Sequence, residues 1–394
     1  MVPKGWERKP IKELCESIID CVNKTATHVD HETPYKMIRT TNVRNGRVDV
    51  HNVRYVEEDT YKQWIRRGAP KDGDIIFTRE APVGEAGILE NAEGIFLGQR
   101  TMMYRSHPEK SDNRFLFYSL MSGYCQKQIE DFSNGGTVAH MRVPDCGELI
   151  INTPPLPEQH KIAQILSTWD KAITTTERLI ATSQQQKKAL MQQLLTGKKR
   201  LVNPETGKVF EGDWKKVELG ELLDYKQPTP YLVKSTEYSS EYSTPVLTAG
   251  KTFILGYSNE DFGIFSEELP AIIFDDFTTA SKFVDFPFKA KSSAMKILIA
   301  KEGVCIKYVY EAMQVLNYPV GGHQRHWISI FANLVIGLPE PEEQQKIASV
   351  LTAADKEIEL LQAKLAHFKE EKKALMQQLL TGKRRVKIEE MEIA

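Results

Sequence analysis

The chain has 394 residues, enough for two or three domains with a core each, and its 41% hydrophobic and 27% charged content is ordinary for a soluble globular protein. Lysine plus arginine (52) nearly balance aspartate plus glutamate (53), so the net charge of −1 excludes a bulk basic character. Any positive surface must be local or supplied by a partner. Five cysteines, odd in number and without CxxC spacing, argue against a disulfide framework and a zinc site and for a reducing cytoplasm.

No stretch approaches the length of a transmembrane helix, and the opening MVPKGWERKP lacks the apolar run of a secretory signal. The first block, expected over residues 1–155, reads as mixed α/β. Apolar runs predict strands at Asp74-Ile75-Ile76-Phe77 and Thr101-Met102-Met103-Tyr104, a helix over Asn113–Phe132, and a Gly-Gly loop and strand at Gly135–Arg142. The segment KMIRTTNVRNGRV (Lys36–Val48) carries Lys36, Arg39, Arg44 and Arg47 without an acid, interleaved with Thr40, Thr41, Asn42 and Asn45. Arg79 ends a strand, and Gln99-Arg100 begin another.

From Glu158 to about Thr196 there is no proline or glycine, and Gly197 stands where a helix C-cap belongs. The apolar positions Ile162, Leu166, Trp169, Ile173, Ile180, Leu190 and Leu194 step by four and three, the period of a coiled-coil seam. A second block then repeats the order of the first: Trp6, Ile11, Glu13 and Leu14 recur as Trp214, Leu219, Glu221 and Leu222. Strands are expected at Ala271–Phe274 and Met295–Leu298, a helix near Val304–Leu316, and a Gly-Gly loop and strand at Gly321–Trp327. Finally the helix itself returns. KKALMQQLLTGK stands unchanged at Lys187–Lys198 and Lys372–Lys383, an offset of 185 residues, and the second seam runs through Ile347, Leu351, Ile358, Leu361, Leu365, Phe368, Leu375 and Leu379, interrupted by Lys372.

A long helix with one narrow apolar stripe is not stable alone. The nearest partner is its duplicate, packed antiparallel about a pseudo-two-fold axis. The glutamine-rich outer faces, with the identical last turns and the basic Lys198-Lys199-Arg200 and Lys383-Arg384-Arg385, are expected to serve a partner that docks twice. The fold class is therefore α/β: two mixed blocks separated by two long antiparallel coiled-coil helices.

Arginine, asparagine, glutamine and threonine are the side chains that read base edges, while lysine and glycine-loop amides hold phosphate. On that chemistry the candidate DNA contacts are Arg39, Thr40, Arg44, Arg79, Gln99, Arg100, Thr137, His140 and Arg142 in the first block. In the second they are Lys251, Thr278, Thr279, Lys282, Gln324, Arg325 and His326. Catalytic readings fail on spacing. Ala249-Gly250-Lys251-Thr252 has Pro245 where a phosphate loop needs its first glycine, Asp275-Asp276 has no third carboxylate for a metal, and His323 and His326 lack a further ligand. Thr153-Pro154-Pro155-Leu156 lacks the Asn or Asp at the first position and the aromatic at the last of an adenine-methyltransferase motif.

The whole pattern resembles the DNA specificity subunit of type I restriction–modification systems. Pro154-Pro155-Leu156-Pro157-Glu158-Gln159 leads into the first helix, Pro339–Gln344 into the second, and both helices end in Leu-Leu-Thr-Gly-Lys. The resemblance implies a non-catalytic subunit with two target recognition domains (1–155 and 201–338), each reading one half of a split, asymmetric site. Conserved helices (156–200 and 339–385) would set the spacing, with a tail over 386–394. It implies double-stranded DNA, two modification subunits and restriction/translocase subunits as partners. No cofactor is expected in this chain, with S-adenosylmethionine, Mg and ATP on the partner subunits. The alternative from the residues alone is a coiled-coil adaptor with two protein-binding ends.

Overall fold

A computed structural model describes residues 2–133, 139–248, 252–316 and 326–388, the first of these last (His326) by its backbone. The chain packs as two units, Met1–Glu177 with Lys364–Ala394, and Arg178–Ala363. Packing thus divides each long helix near its middle, whereas the segmentation expected from sequence keeps each helix whole. No described helix is long and apolar enough to cross a membrane.

In the first unit the strands Cys15–Asp20, Thr101–Ser106, Ile75–Arg79 and Val83–Ile88 lie side by side, and the hairpin Val43–Arg44/Gly46–Val48 extends the sheet to six. Alternation along the strands sends side chains to opposite faces. Ile75, Phe77, Met102 and Tyr104 therefore pack with Phe115, Leu116 and the long-helix residues Ile162 and Leu166, while Ile76 and Met103 pack with Cys21, Ile38 and Leu97. A sheet buried on both faces reads as the continuous apolar runs seen in the sequence. The helix expected over Asn113–Phe132 is two, Asn113–Leu120 and Gly123–Ser133. Ser122 makes the break: its hydroxyl donates to Ser119 O (2.6 Å) and accepts from Cys125 N (3.2 Å), a local bond that competes with helix continuation.

The second unit repeats this order in Leu223–Lys226, Met295–Ala300, Ala271–Asp275 and Ser281–Val284, a sheet of four. Ile272, Phe274 and Leu298 face one cluster, and Ala271, Ile273 and Ile297 the other. The helix expected near Val304–Leu316 spans Ile306–Met313. Both units also join an entering strand to the strand that precedes a long helix: Glu7–Pro10 with Ile150–Thr153, and Lys215–Glu218 with Val335–Leu338, each antiparallel. Neither strand expected after a Gly-Gly loop is found among the described residues. In the first copy His140 makes only an isolated bridge to Glu80 before the short helix Val143–Gly147, and in the second the segment opens a short helix, His326–Ser329.

The long helices are Leu156–Leu194 and Pro341–Leu379, 39 residues each, or about 58 Å at 1.5 Å per residue. They run antiparallel within each unit. In the first, Trp169 meets Phe368 edge-on (5.6 Å) and Lys372 Nζ donates to Asp170 Oδ1 (2.6 Å). In the second, Lys187 Nζ donates to Asp355 Oδ1 at the same 2.6 Å. Every expected seam residue is buried or half-buried: Ile162, Leu166, Leu194, Ile347, Leu351 and Leu379 belong to the cores, Leu190 and Leu375 pack against them, Ile173 is buried, and Ile180, Ile358, Leu361 and Leu365 are half-buried. The lysine that interrupts the seam thus forms a half-buried cross-helix pair, present in both copies.

The unchanged helix endings have a reason inside the chain. Leu194 and Leu195 enter the core of the second unit, and Leu379 and Leu380 that of the first. Each helix ends in a turn with glycine at positive φ, Gly197 (+70°) and Gly382 (+71°). A Cβ on Gly382 would lie 2.4 Å from Pro3, so only glycine fits there. The basic residues after the turns then close two matching clamps. Arg200 grips Glu343 through Nε–Oε1 (2.6 Å) and Nη2–Oε2 (2.7 Å). Arg385 grips Glu158 at the same two distances. Trp214 Nε1 and Trp6 Nε1 donate to those glutamates, both at 3.1 Å. These equivalent seats give the identical last turns a role inside the chain as well.

Candidate nucleic-acid interface

In the first unit a parallel pair of strands, Lys36–Ile38 and Ile95–Leu97, ends at a polar rim. Arg39 leaves the first strand and Gly98-Gln99-Arg100 leave the second, with Gly98 N donating to Ile38 O (2.8 Å). Asn42 is the buried hub: its Oδ1 accepts Arg39 N (3.0 Å) and its Nδ2 donates to Asn52 O (2.8 Å). Arg100 sits at φ +69° with its side chain on Glu80 (3.1 Å), and Glu80 forms a backbone bridge to exposed His140. The structure therefore brings Arg39, Thr40, Gln99, Arg100 and His140 to one rim, although the sequence spreads them over a hundred residues. Gln99 Oε1 accepts from Thr25 Oγ1 (3.3 Å), and Arg142, exposed, pairs with Asp145 (2.8 Å).

Arg79 has another task. Its guanidinium is 11% exposed, bound to Asp20 Oδ1 (Nε, 3.1 Å) and to Met141 O (Nη1, 3.2 Å), and it ties the sheet edge to the segment carrying His140. A side chain so enclosed supports the rim from within instead of reaching out of it. Arg44 is exposed on the Val43–Val48 hairpin. Arg47 of the same hairpin turns to the long helix, donating to Thr174 Oγ1 (3.0 Å) and Glu177 Oε2 (2.8 Å). Lys369 also reaches Glu177 (3.1 Å), and the group borders a cleft of about 740 Å³. Burial opposes ionisation of Glu177, but Arg47 and Lys369 outweigh it and hold the carboxyl below its usual value.

In the second unit the turn after Ala271–Asp275 presents Phe277 and Thr278 to solvent. Asp275 builds the turn: Oδ1 accepts Phe277 N (2.9 Å) and Oδ2 accepts Thr278 Oγ1 (2.8 Å). Thr279 is buried at φ +61°, its hydroxyl on Thr278 O (2.6 Å), so it shapes the turn from inside. Asp276, 3% exposed, accepts Trp327 N (2.9 Å), and Lys296 lies 3.9 Å away. Both aspartates are thus occupied in the backbone architecture. Exposed Lys282 lines a cleft of about 890 Å³ with Lys187, Lys307 and Asp355. Thr137, Lys251, Gln324 and Arg325 lie outside the described residues, as does the side chain of His326.

Sequence reading missed Arg54, Phe277 and both clamps. The clamps had a signal: Glu158 and Glu343, like Arg200 and Arg385, are 185 residues apart, and the tryptophans were already matched. Arg54 had none, because its place beside Arg39 depends on strand pairing.

The profile of the type I restriction modification DNA specificity domain matches residues 3–182 and 211–370. The chain is 48% identical over 145 residues to the specificity subunit of the type I restriction enzyme EcoR124I/EcoR124II of Escherichia coli, a match spanning 36% of this chain and 35% of that one. It is 26% identical over 426 residues to the putative type I restriction enzyme MjaX specificity subunit of Methanocaldococcus jannaschii, covering 98% and 95% of the two chains. Among solved structures, the type I restriction–modification S subunit from M. genitalium superposes with a TM-score of 0.66 at 17% identity, over 96% of each chain.

Proposed function

Because this chain belongs to the family of type I restriction modification DNA specificity domains, we propose that it is the sequence-specific DNA-binding subunit of a type I restriction–modification complex and carries no catalytic centre of its own. Each recognition unit reads one half of a bipartite, asymmetric duplex site. The paired helices set the spacer and present docking surfaces for two modification subunits, to which restriction subunits add. The adenines to be methylated would be flipped into the partners' active sites, since chemistry on a base inside a duplex requires its extrusion.

One observation carries this reading. Two units with the same strand order, the same entry strand and the same clamp bear different groups on their rims: Arg39, Gln99, Arg100 and His140 in one, Phe277 and Thr278 in the other. Shared scaffold with divergent decoration is what two readers of two different sequences require.

The test is co-expression with a type I modification subunit, followed by native mass spectrometry, gel shift and mapping of the methylated adenines. A complex of two modification subunits to one of this chain, methylating a split sequence, is the expected result. Replacing residues 1–155 with the corresponding block of another specificity subunit should then change one half-site and spare the other. Changes in both halves would refute independent readers. Association that neither binds duplex nor weakens with salt would return the chain to the adaptor class.

A further inference from the structure

Arginines in the first unit fall into two classes. Arg47, Arg67, Arg79, Arg100, Arg105, Arg114, Arg142 and Arg385 each have a carboxylate within salt-bridge distance. Arg8, Arg39, Arg44, Arg54, Arg66 and Arg384 have no carboxylate partner among the described residues, and within this class Arg39 and Arg54 are set apart because they are neighbours across paired strands. Met37 and Arg54 are directly opposed in the antiparallel pair Lys36–Ile38/Arg54–Tyr55. Arg39 is two residues beyond Met37 and still extended (φ −106°, ψ 168°), so its side chain leaves the same face as that of Arg54.

Two like charges on a diagonal repel, and burial adds to the cost. Burial first, and the charge of Arg54 second, push the Arg39 guanidinium below its usual value. Nε of Arg39 is enclosed without a hydrogen-bond partner. An enclosed donor on a charged group is expensive to leave unmade. The backbone nevertheless holds Arg39 in this position through Arg39 N–Asn42 Oδ1 and Asn42 Nδ2–Asn52 O, which tie the segments bearing the two arginines together. A paired set of guanidinium donors, unneutralised and preorganised beside the rim, matches a tetrahedral oxyanion with one charge and several acceptors.

We propose that Arg39 and Arg54 together form a phosphate-binding site that grips one backbone phosphodiester of duplex DNA and sets the register of the first recognition unit, leaving base reading to the neighbouring rim residues Gln99, Arg100 and His140. The assignment rests on the DNA-binding reading above and deepens it. It moves Arg39 from the base-reading class to the positioning class.

The distinction is measurable because a phosphate contact is blind to sequence and visible in salt dependence. Each neutralised phosphate contributes about 0.9 to the slope of log K against log salt, roughly a 3.5-fold change in affinity over a fourfold range of salt. Fluorescence anisotropy on a panel of duplexes of different sequence, with the full chain in its complex, would compare wild type with Arg54→Ala, Arg39→Ala and the double variant. Arg54 is exposed, so its truncation leaves the fold intact even where loss of the half-buried Arg39 does not.

The expected result is a slope smaller by about 0.9 for Arg54→Ala, a uniform loss over all duplexes, and little further loss in the double variant, because both side chains hold the same phosphate. An unchanged slope for Arg54→Ala overturns the site. So does an altered order of preference among the duplexes, which would make these arginines base readers. Wild-type complex that shows no salt-dependent duplex binding would refute the DNA reading itself, and this site with it.

Discussion

Removing the arginine from one helix-end clamp should loosen one unit in a way the contacts allow to be sized. Arg200 is 22% exposed and Glu343 2%, their pair is bidentate, and Arg200 Nη1 also donates to Gly212 O (2.8 Å). Taking one partner from a buried ion pair costs about 3–5 kcal/mol, because the other charge is left uncompensated. Here Glu343 keeps the Trp214 N–H, and the partly open site admits water, so we expect about 2–3 kcal/mol for Arg200→Ala. That is roughly a 30- to 150-fold rise in the opening equilibrium. The matching Arg385→Ala should cost less, about 1 kcal/mol, since Arg385 is 44% exposed and more of its charge is solvated. A chain of two units need not unfold in one step, so hydrogen exchange read by peptide is the appropriate assay. Amides of Leu195 and Lys199, bonded to Met191 O (3.0 Å) and Gln193 O (3.1 Å), should exchange faster in Arg200→Ala. Wild-type exchange there, or an Arg385→Ala effect equal to that of Arg200→Ala, would refute the argument.

Inserting one heptad into both long helices should lengthen the tolerated gap between half-sites by about 10.5 Å, or roughly three base pairs; methylation assays on a spacer series would show an unchanged gap if the helices set no distance. Burial pushes the thiols of Cys15, Cys125 and Cys146 up to about 12, and it is also the first cause raising Cys21. Alkylation of native protein at pH 8, read by mass spectrometry, should therefore spare these four and label half-exposed Cys305 first. The Glu177 carboxyl is held low in the fold, so the stability it adds is present above the usual glutamate value and lost as pH falls through its lower, folded one. Glu177→Gln should flatten the acid limb of a stability–pH profile, and a limb identical to wild type would show the Arg47–Glu177–Lys369 group to be inert.

The helices were readable because a seam of period 3.5 and an exact repeat are properties of the chain alone. So were the four central strands, whose largely apolar runs Ile75–Phe77, Met102–Tyr104, Ala271–Phe274 and Met295–Leu298 (broken only by buried Lys296) are buried on both faces. The break at Ser122 and the short helix at His326 escaped, since each depends on a local side-chain bond or on tertiary context overriding pattern. The rim was partly visible: Gln99, Arg100 and His140 were picked out for their chemistry, but Arg79 and Thr279 were picked out with them and are turned inward.

The sequence by itself determined that this molecule is one design used twice, because covalent order and periodicity need no contacts to be read. Only the tertiary structure decided which charges are spent. A carboxylate cancels an arginine when it is near in space, and Asp20 beside Arg79, Glu177 beside Arg47 and Glu343 beside Arg200 are distant along the chain. Charge pairing falls off with distance through space, so composition can count the arginines but not say which of them remain to meet a phosphate.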